Sequence, residues 1–211
     1  MLAMTVAPDV ADALDAVLAG RRSIRTYRER PVPTDLLERV LSAAAQAPSP
    51  HHSVPWRLAV LTGLAAKTAL AEAMGATWRA DLQADGLGDA EIAVELAKSH
   101  RRLTASPVVL VGSVYPEILD EYPDAARQEA ETLMAAHSLG AALQNVMLAA
   151  HANGLASCWM CAPVFCSAVV RDALGLPNHL IPHAIVTIGY PARPPRARER
   201  PSLDQIVVLR A

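Results

Sequence analysis

Lysine is nearly absent from this chain: of its 19 basic residues 17 are arginine, and Lys67 and Lys98 are the exceptions. A lone arginine therefore says little, and only clusters bear on function. Charge of one sign is missing too. A net charge of −2 gives no electrostatic case for a nucleic-acid or membrane surface. No apolar run approaches the roughly 20 residues that cross a bilayer. The opening MLAMTVAPDVADALDAVLAG has no basic n-region and carries Asp9, Asp12 and Asp15, which argues against a signal peptide. Three cysteines cannot build a disulfide framework, so a cytoplasmic location is expected. The motifs G-x-S-x-G, G-x-x-x-x-G-K-S/T and G-x-G-x-x-G do not occur, which removes the usual support for a hydrolase, a kinase or a Rossmann dehydrogenase. There is no H-E-x-x-H and no second cysteine pair, so no metal is expected. No repeat or linker divides the chain, and residues 1–211 are expected to form a single domain.

What is present is a globular composition, 52% hydrophobic and 19% charged, which is enough apolar matter for a sizeable core. Val10, Ala13, Leu14, Val17 and Leu18 have helical spacing and stop at Gly20. Thr34 can cap a second helix, with Leu36, Leu37, Val40, Leu41 and Ala44 inward, and Pro48 and Pro50 end it. Residues 57–61 read as a short strand and 64–74 as a helix. WRADLQADGLGDAE (78–91) reads as a polar, mobile connection, before a helix that resumes near Asp89 and ends before Pro107. PVVLVGSV (107–114) is the strongest strand signal. Residues 123–153 predict a very long helix stopped at Gly154, apolar nearly all round over 132–150, as a core or subunit-interface helix would be. Strands are predicted over 155–160 and 183–190, with a helix over 164–174 between them and a last strand over 205–209. The fold expected is α+β, with a few strands sandwiched by long helices.

Three clusters bear on chemistry. Arg21, Arg22, Ser23 and Arg25 suit a phosphate, because guanidinium meets phosphate bidentately and a hydroxyl adds a short hydrogen bond; a solvated basic loop is the alternative. A second tract, Arg193, Arg196, Arg198 and Arg200, could converge on the same anion. Cys158-Trp159-Met160-Cys161 fits C-x-x-C, but it falls in or at the end of a late strand instead of opening a helix, and two small buried residues are the plainer reading. In APSPHHSVPW (47–56), His51 and His52 point to opposite sides of an extended chain, as a pair exposed on a turn or as hydrogen-bonding groups for a ligand.

Together these pieces resemble the nitroreductase family of FMN-dependent oxidoreductases. Arg21-Arg22-Ser23-Ile24-Arg25-Thr26-Tyr27 fits its R-R-S-x-R-aromatic signature. Pro48 to Trp56 stands where the family has P-S-x-x-N-x-Q-P-W, with His52 and Val54 in place of Asn and Gln. Ala142 to Leu155 and Gly189-Tyr190-Pro191 match two further segments. The departures, with W-R-A-D-L-x-x-D-G-L, Y-P-D-A-A-R and S-C-W, look like the flavin-binding C-terminal half of the actinobacterial two-domain protein of coenzyme F-420 biosynthesis, whose other half is a γ-glutamyl ligase. This chain has no counterpart of the ligase half, and that activity is not carried over.

The resemblance implies a mixed central sheet between long helices in an intertwined homodimer with FMN at the subunit interface. It implies that Arg21, Arg22, Ser23 and Arg25 hold the FMN phosphate and ribityl chain, with Arg198 and Arg200 as second arms. Pro48, Ser49, Pro50 and His52 would come from the other subunit along the flavin edge. Main-chain amides near Cys161 and Ala162 would face the hydride-accepting nitrogen, with no catalytic acid or base. Reduced FMN would pass a hydride, ping-pong, to a small conjugated acceptor, with NAD(P)H as a possible donor. The acceptor expected is a dehydro deazaflavin precursor; a broad NAD(P)H nitro/quinone reductase and a flavin- or deazaflavin-binding module are the alternatives. His51, Trp78, Arg79 and Arg127 are candidate substrate contacts, with 78–91 as a lid, and Arg101 and Arg102 are further arginines available to an anionic, phosphate-bearing precursor.

Overall fold

The computed structural model describes residues 8–195 and 199–210. In chain order it contains α1 (Pro8–Gly20), α2 (Thr34–Ser42), β1 (Trp56–Leu61), α3 (Leu64–Ala84), α4 (Asp89–Thr104), β2 (Val108–Val114), α5 (Ala125–Ala152), β3 (Ala156–Met160), α6 (Ser167–Ala173) and β4 (Ile181–Gly189), joined in places by short 3₁₀ turns. The strands form one sheet in the order β1-β2-β4-β3. All three pairings are antiparallel, so among the described residues the sheet is not the mixed one expected. Among the described residues the one parallel contact is an isolated bridge from Ser23 to Ser157.

The period of 2 in β2 and β4 decides which side chains meet which helices. Val108, Leu110, Val114, Val186 and Ile188 join the core beneath α5 and α2, with Leu139, Leu143 and Val146. Val109, Val111 and Ile185 point to the other face, against Leu70 of α3, Leu103 of α4 and Val170 of α6. The result is three layers, with β2 buried along its whole length. Gly112 lets α5 lie close: a Cβ there would stand 3.0 Å from Leu139 Cδ1. Gly154, at φ +74°, ends α5 in the left-handed conformation that glycine adopts most easily.

Several expectations need correction. Residues 78–84 continue α3, and only 85–88 separate it from α4, so Trp78 and Arg79 ride on a helix and not on a mobile loop. Alanine and leucine outweigh the polar residues there as helix formers. Thr34 is the first helical residue of α2 and Pro33 its cap, with no side-chain capping bond. The segment expected as a helix over 164–174 is a 3₁₀ turn at Ala162–Phe165 followed by α6. Residues 205–209 form no strand: a 3₁₀ turn covers Leu203–Gln205, and Val208 is 99% exposed. A strand needs a partner edge, and among the described residues this segment pairs with none. α5 buries nine residues against the rest of the fold, yet Leu133 and Met134 stay exposed, as does the apolar stripe of α1 at Val10, Leu14 and Leu18.

α5 is also the one described helix long and apolar enough to cross a membrane. Here its buried side chains form the floor of the main core. Lys67 ties α3 to the end of α4: its buried ammonium donates to the Ser106 carbonyl at 2.7 Å, and burial lowers its pKa.

Candidate active site

β3 is an edge strand, and the segment after α1 covers it. Ile24 N donates to Ser157 O at 3.0 Å. Tyr27 secures the same segment from below, donating to Ile24 O at 2.6 Å and lying 2.8 Å from Thr187 Oγ1. Burial pushes the Tyr27 phenol well above its usual range, so it stays neutral and serves as an anchor. Arg28 N to Tyr190 O at 2.8 Å and Ala192 N to Thr26 O at 3.1 Å then bring the end of β4 alongside. Two basic tracts far apart in sequence thus meet, and Arg200 Nη2 donates to Arg21 O at 2.8 Å. Arg22 Nη1 donates to the same carbonyl at 2.9 Å and to Ala19 O. Arg196 and Arg198 lie outside the described residues.

At the start of β3 this packing leaves a cavity of about 160 Å³ bordered by Gly20, Arg21, Arg22, His151, Ser157 and Pro195, with no carboxylate in its lining. The Arg21 pKa is lowered by burial, then by Arg200 and Arg22. The His151 pKa is lowered by burial, then by Arg21 and Arg22, so at neutral pH its imidazole adds no charge to the crowd. Ser157 Oγ is buried here without a hydrogen-bond partner. Such an atom is costly unless something bonds it. Two arginines on the cavity, a third beside Arg21, an orphaned hydroxyl and no acid among the described lining residues fit a phosphate monoester. Ser23, bridged to Ser157, is itself exposed.

The other end of β3 opens on a different surface. A cavity of about 490 Å³ is lined by Met74, Trp78, Met160, Cys161, Ala162 and Phe165, with Arg102, Asp81, Ser99 and Cys166 among its polar neighbours. It brings Trp78 together with Cys161 and Ala162, but Arg79 and Arg127 do not line it. Arg127 instead pairs with Asp124, the N-cap of α5, and stacks 5.3 Å over Tyr122. The C-x-x-C pair is split. Cys158 is fully buried, with burial raising its thiol pKa against the opposing pull of Arg25, whereas Cys161 is exposed at the cavity, contrary to the expectation of two buried residues. Arg25 faces a third opening beside α4, a cleft of about 350 Å³.

The proline loop stands apart from all of these. Pro48, Ser49 and Pro50 line a cavity of about 340 Å³ against Met134, His137 and Ala141 of α5. The chain there is not extended: Pro50–His52 is a 3₁₀ turn, and His51, His52 and Val54 have φ of 52°, 54° and 51°. Left-handed backbone costs a non-glycine residue roughly 1–2 kcal/mol. Ser49 Oγ helps to hold it, accepting from Val54 N at 3.0 Å. Sustained strain of this kind gathers at ligand contacts. The argument that placed the two histidines on opposite sides of an extended strand therefore lapses; both are exposed on one tight turn.

Sequence reasoning missed Ser157 and His151. A lone serine in a strand and a histidine in the last turn of a helix carry no signal in sequence; the fold alone sets them beside Arg21.

Against known proteins, the nitroreductase family profile matches residues 18–190. A Thermus thermophilus protein named NADH dehydrogenase is 34% identical over 212 residues, covering 95% of this chain and 97% of its own. The chain belongs to the nitroreductase family. A second member, nitroreductase NfnB of Mycolicibacterium smegmatis, is 30% identical, covering 86% of this chain and 84% of its own. The crystal structure of a variant of the FMN- and NADPH-dependent nitroreductase NfnB from a Sphigopyxis species superposes with a TM-score of 0.69 at 25% identity, covering 94% and 99% of the two chains. The family fold is therefore present in this chain, as the signature at Arg21–Tyr27 implied.

Proposed function

We propose that this member of the family is an FMN-dependent oxidoreductase that takes electrons from NAD(P)H and delivers them to a conjugated acceptor such as a nitroaromatic or a quinone. The observation that carries the reading is the pairing of Arg21 and Arg22 on a cavity with no acid among its described lining residues, with Arg200 bonded to the Arg21 carbonyl beside it and the unpartnered Ser157 in the same lining. A phosphate answers both needs, relieving the like-charge repulsion and accepting from the hydroxyl. β3 then runs from the phosphate end toward the apolar cavity. Ser157 and Cys161 are four positions apart, about 13 Å at strand rise, a span suited to a mononucleotide. FMN supplies the hydride chemistry when bound, and the protein supplies position and shielding.

Each residue then has a task. Arg21, Arg22, Ser23 and Arg200, with Arg198, hold the phosphate, and Arg25 the polar chain behind it. The amides of Cys161 and Ala162 donate at the reacting edge without a titrating side chain. Trp78, Met160 and Phe165 give the acceptor a flat apolar bed and keep water from it. A second copy of the chain would bring its own Pro48, Ser49, Pro50 and His52 to the flavin edge. It would also cover the exposed apolar residues of α1, those of α5, and Val208. Free thiols at all three cysteines suit a cytoplasmic location.

A dehydro deazaflavin precursor is the finer reading of the acceptor, and the arginines beside the apolar cavity favour it over a neutral quinone. The decisive experiment is purification followed by FMN titration, light scattering and anaerobic reduction with NADH or NADPH. The reduced protein is then mixed with menadione, a nitroarene or the dehydro precursor. Uptake of one FMN per chain in a dimer, with re-oxidation by a nitroarene, is the expected result. Flavin uptake with re-oxidation by none of the three assigns a binding module instead, and a protein that takes up no FMN refutes the site.

A further inference from the structure

Resting on that reading, we propose that the basic face of α4 is an anion subsite of the apolar cavity. The ligand that enters beside Trp78 then carries a phosphate or carboxylate tail on its flat conjugated body. Lys98, Arg101 and Arg102 stand at i, i+3 and i+4 on α4 and so share one face. Across from them the segment after α1 presents Arg25, Thr26 and Tyr27, and the cleft between encloses about 350 Å³. No acidic residue lines it. Among the described residues Arg25, Arg101 and Arg102 enter no ion pair, and only Lys98 is answered, by Glu95 at 2.6 Å. With Arg25 given to the FMN chain, the unanswered Arg101 and Arg102, adjacent on α4, still raise the affinity of the cleft for an anion. Abundant arginine alone would scatter such groups over the surface and leave acids between them.

The position of Arg102 gives the cleft its meaning, because the same residue also lines the apolar cavity. The two hollows are therefore neighbours across one guanidinium. Asp81 is the single acid on the apolar cavity, and none lines the cleft, so an anionic tail is drawn to the cleft end. A flat body against Trp78 and Phe165 with its tail among Lys98, Arg101 and Arg102 fills both. The same chemistry is offered by a phosphorylated acceptor and by the 2′-phosphate of NADPH.

The test uses Lys98→Ala and Arg101→Glu, both at exposed positions remote from the core. Calorimetry on the oxidised holoenzyme, without donor, compares 4-nitrobenzyl phosphate with 4-nitrobenzyl alcohol. Wild-type protein is expected to bind the phosphate about tenfold more tightly at low ionic strength, as one good charge-assisted contact implies. Arg101→Glu should abolish that preference and leave the alcohol unchanged, and added salt should shrink it because the cleft is open. In parallel, the NADPH-over-NADH ratio of kcat/KM is measured in the same variants. Loss of the nitrobenzyl preference assigns the subsite to the acceptor, and loss of the NADPH preference assigns it to the donor. If neither preference moves in Arg101→Glu or in the double variant, the proposal is overturned. Repeating the phosphate titration on flavin-free protein reads the cleft alone, so its failure is distinct from a failure to bind FMN.

Discussion

The two ends of β3 are built on opposite principles. At Ser157 the chain sets Arg21 and Arg22, with Arg200 beside them, on a small cavity with no carboxylate among its described lining residues. At Cys161 it opens a cavity three times larger, lined mainly by carbon and sulfur, where Phe165 is 86% exposed. The first has strong, directional groups and little room, which suits a ligand held for the life of the protein. The second has area without many hydrogen bonds, which suits ligands that come and go and differ in detail. One short edge strand thus separates retention from exchange.

The strongest test of that contrast removes a cation from the retaining end. Arg21→Ala should weaken FMN binding about 100-fold, or about 2.7 kcal/mol, the scale of a charge-assisted pair. Fluorescence titration reads the change, and circular dichroism should show the fold intact. Equal FMN affinity in the variant would place the phosphate elsewhere. Ser157→Ala is next, with a loss of about fivefold in FMN affinity, the scale of one neutral hydrogen bond. The Tm of the flavin-free protein should not fall, because that hydroxyl has no partner to lose. A destabilised apo-protein with unchanged FMN affinity would make Ser157 a packing residue.

Trp78→Ala probes the exchanging end. It should raise the KM of a nitroarene roughly threefold to tenfold, the scale of a lost aromatic contact, while FMN affinity stays constant. Steady-state kinetics beside flavin titration checks this, and a loss of FMN affinity alongside the raised KM would erase the contrast. The smallest effect expected is a pH dependence of the flavin-free protein. Its folded-state His151 pKa lies below the ordinary value. The contribution is therefore fully present above the unfolded pKa of about 6.5 and is lost as pH falls through the lower folded value. A phosphate beside Arg21 and Arg22 offsets the repulsion, so FMN-loaded protein should lose less stability over the same range. Thermal melts from pH 7.5 to 5, with His151→Gln as control, measure it.

The elements most legible in sequence were those whose pattern is local. The β-branched run at 108–114, the long helix with its Gly154 stop and the signature at Arg21–Tyr27 all follow from composition and spacing over a few residues. The errors fall where a partner decides. Residues 78–84 are polar enough to read as a loop, yet α3 keeps going because Leu82 is buried on its inner side. Residues 205–209 have strand composition but pair with no edge among the described residues. His51 and His52 read as extended, and the turn that twists them into left-handed backbone is held in part by Ser49, whose hydroxyl bonds Val54 N.

The same division holds for the candidate site. Sequence by itself determined the fold class, the family and the two basic tracts, because helix and strand periods and short motifs are written along the chain. Tertiary structure alone decided that Arg200 reaches Arg21, that Ser157 lacks a partner beneath them and that Arg102 borders two hollows at once. The physical reason is that burial, repulsion and an unmet hydrogen bond are properties of neighbours in space. Residues 179 positions apart become neighbours only when the sheet has formed.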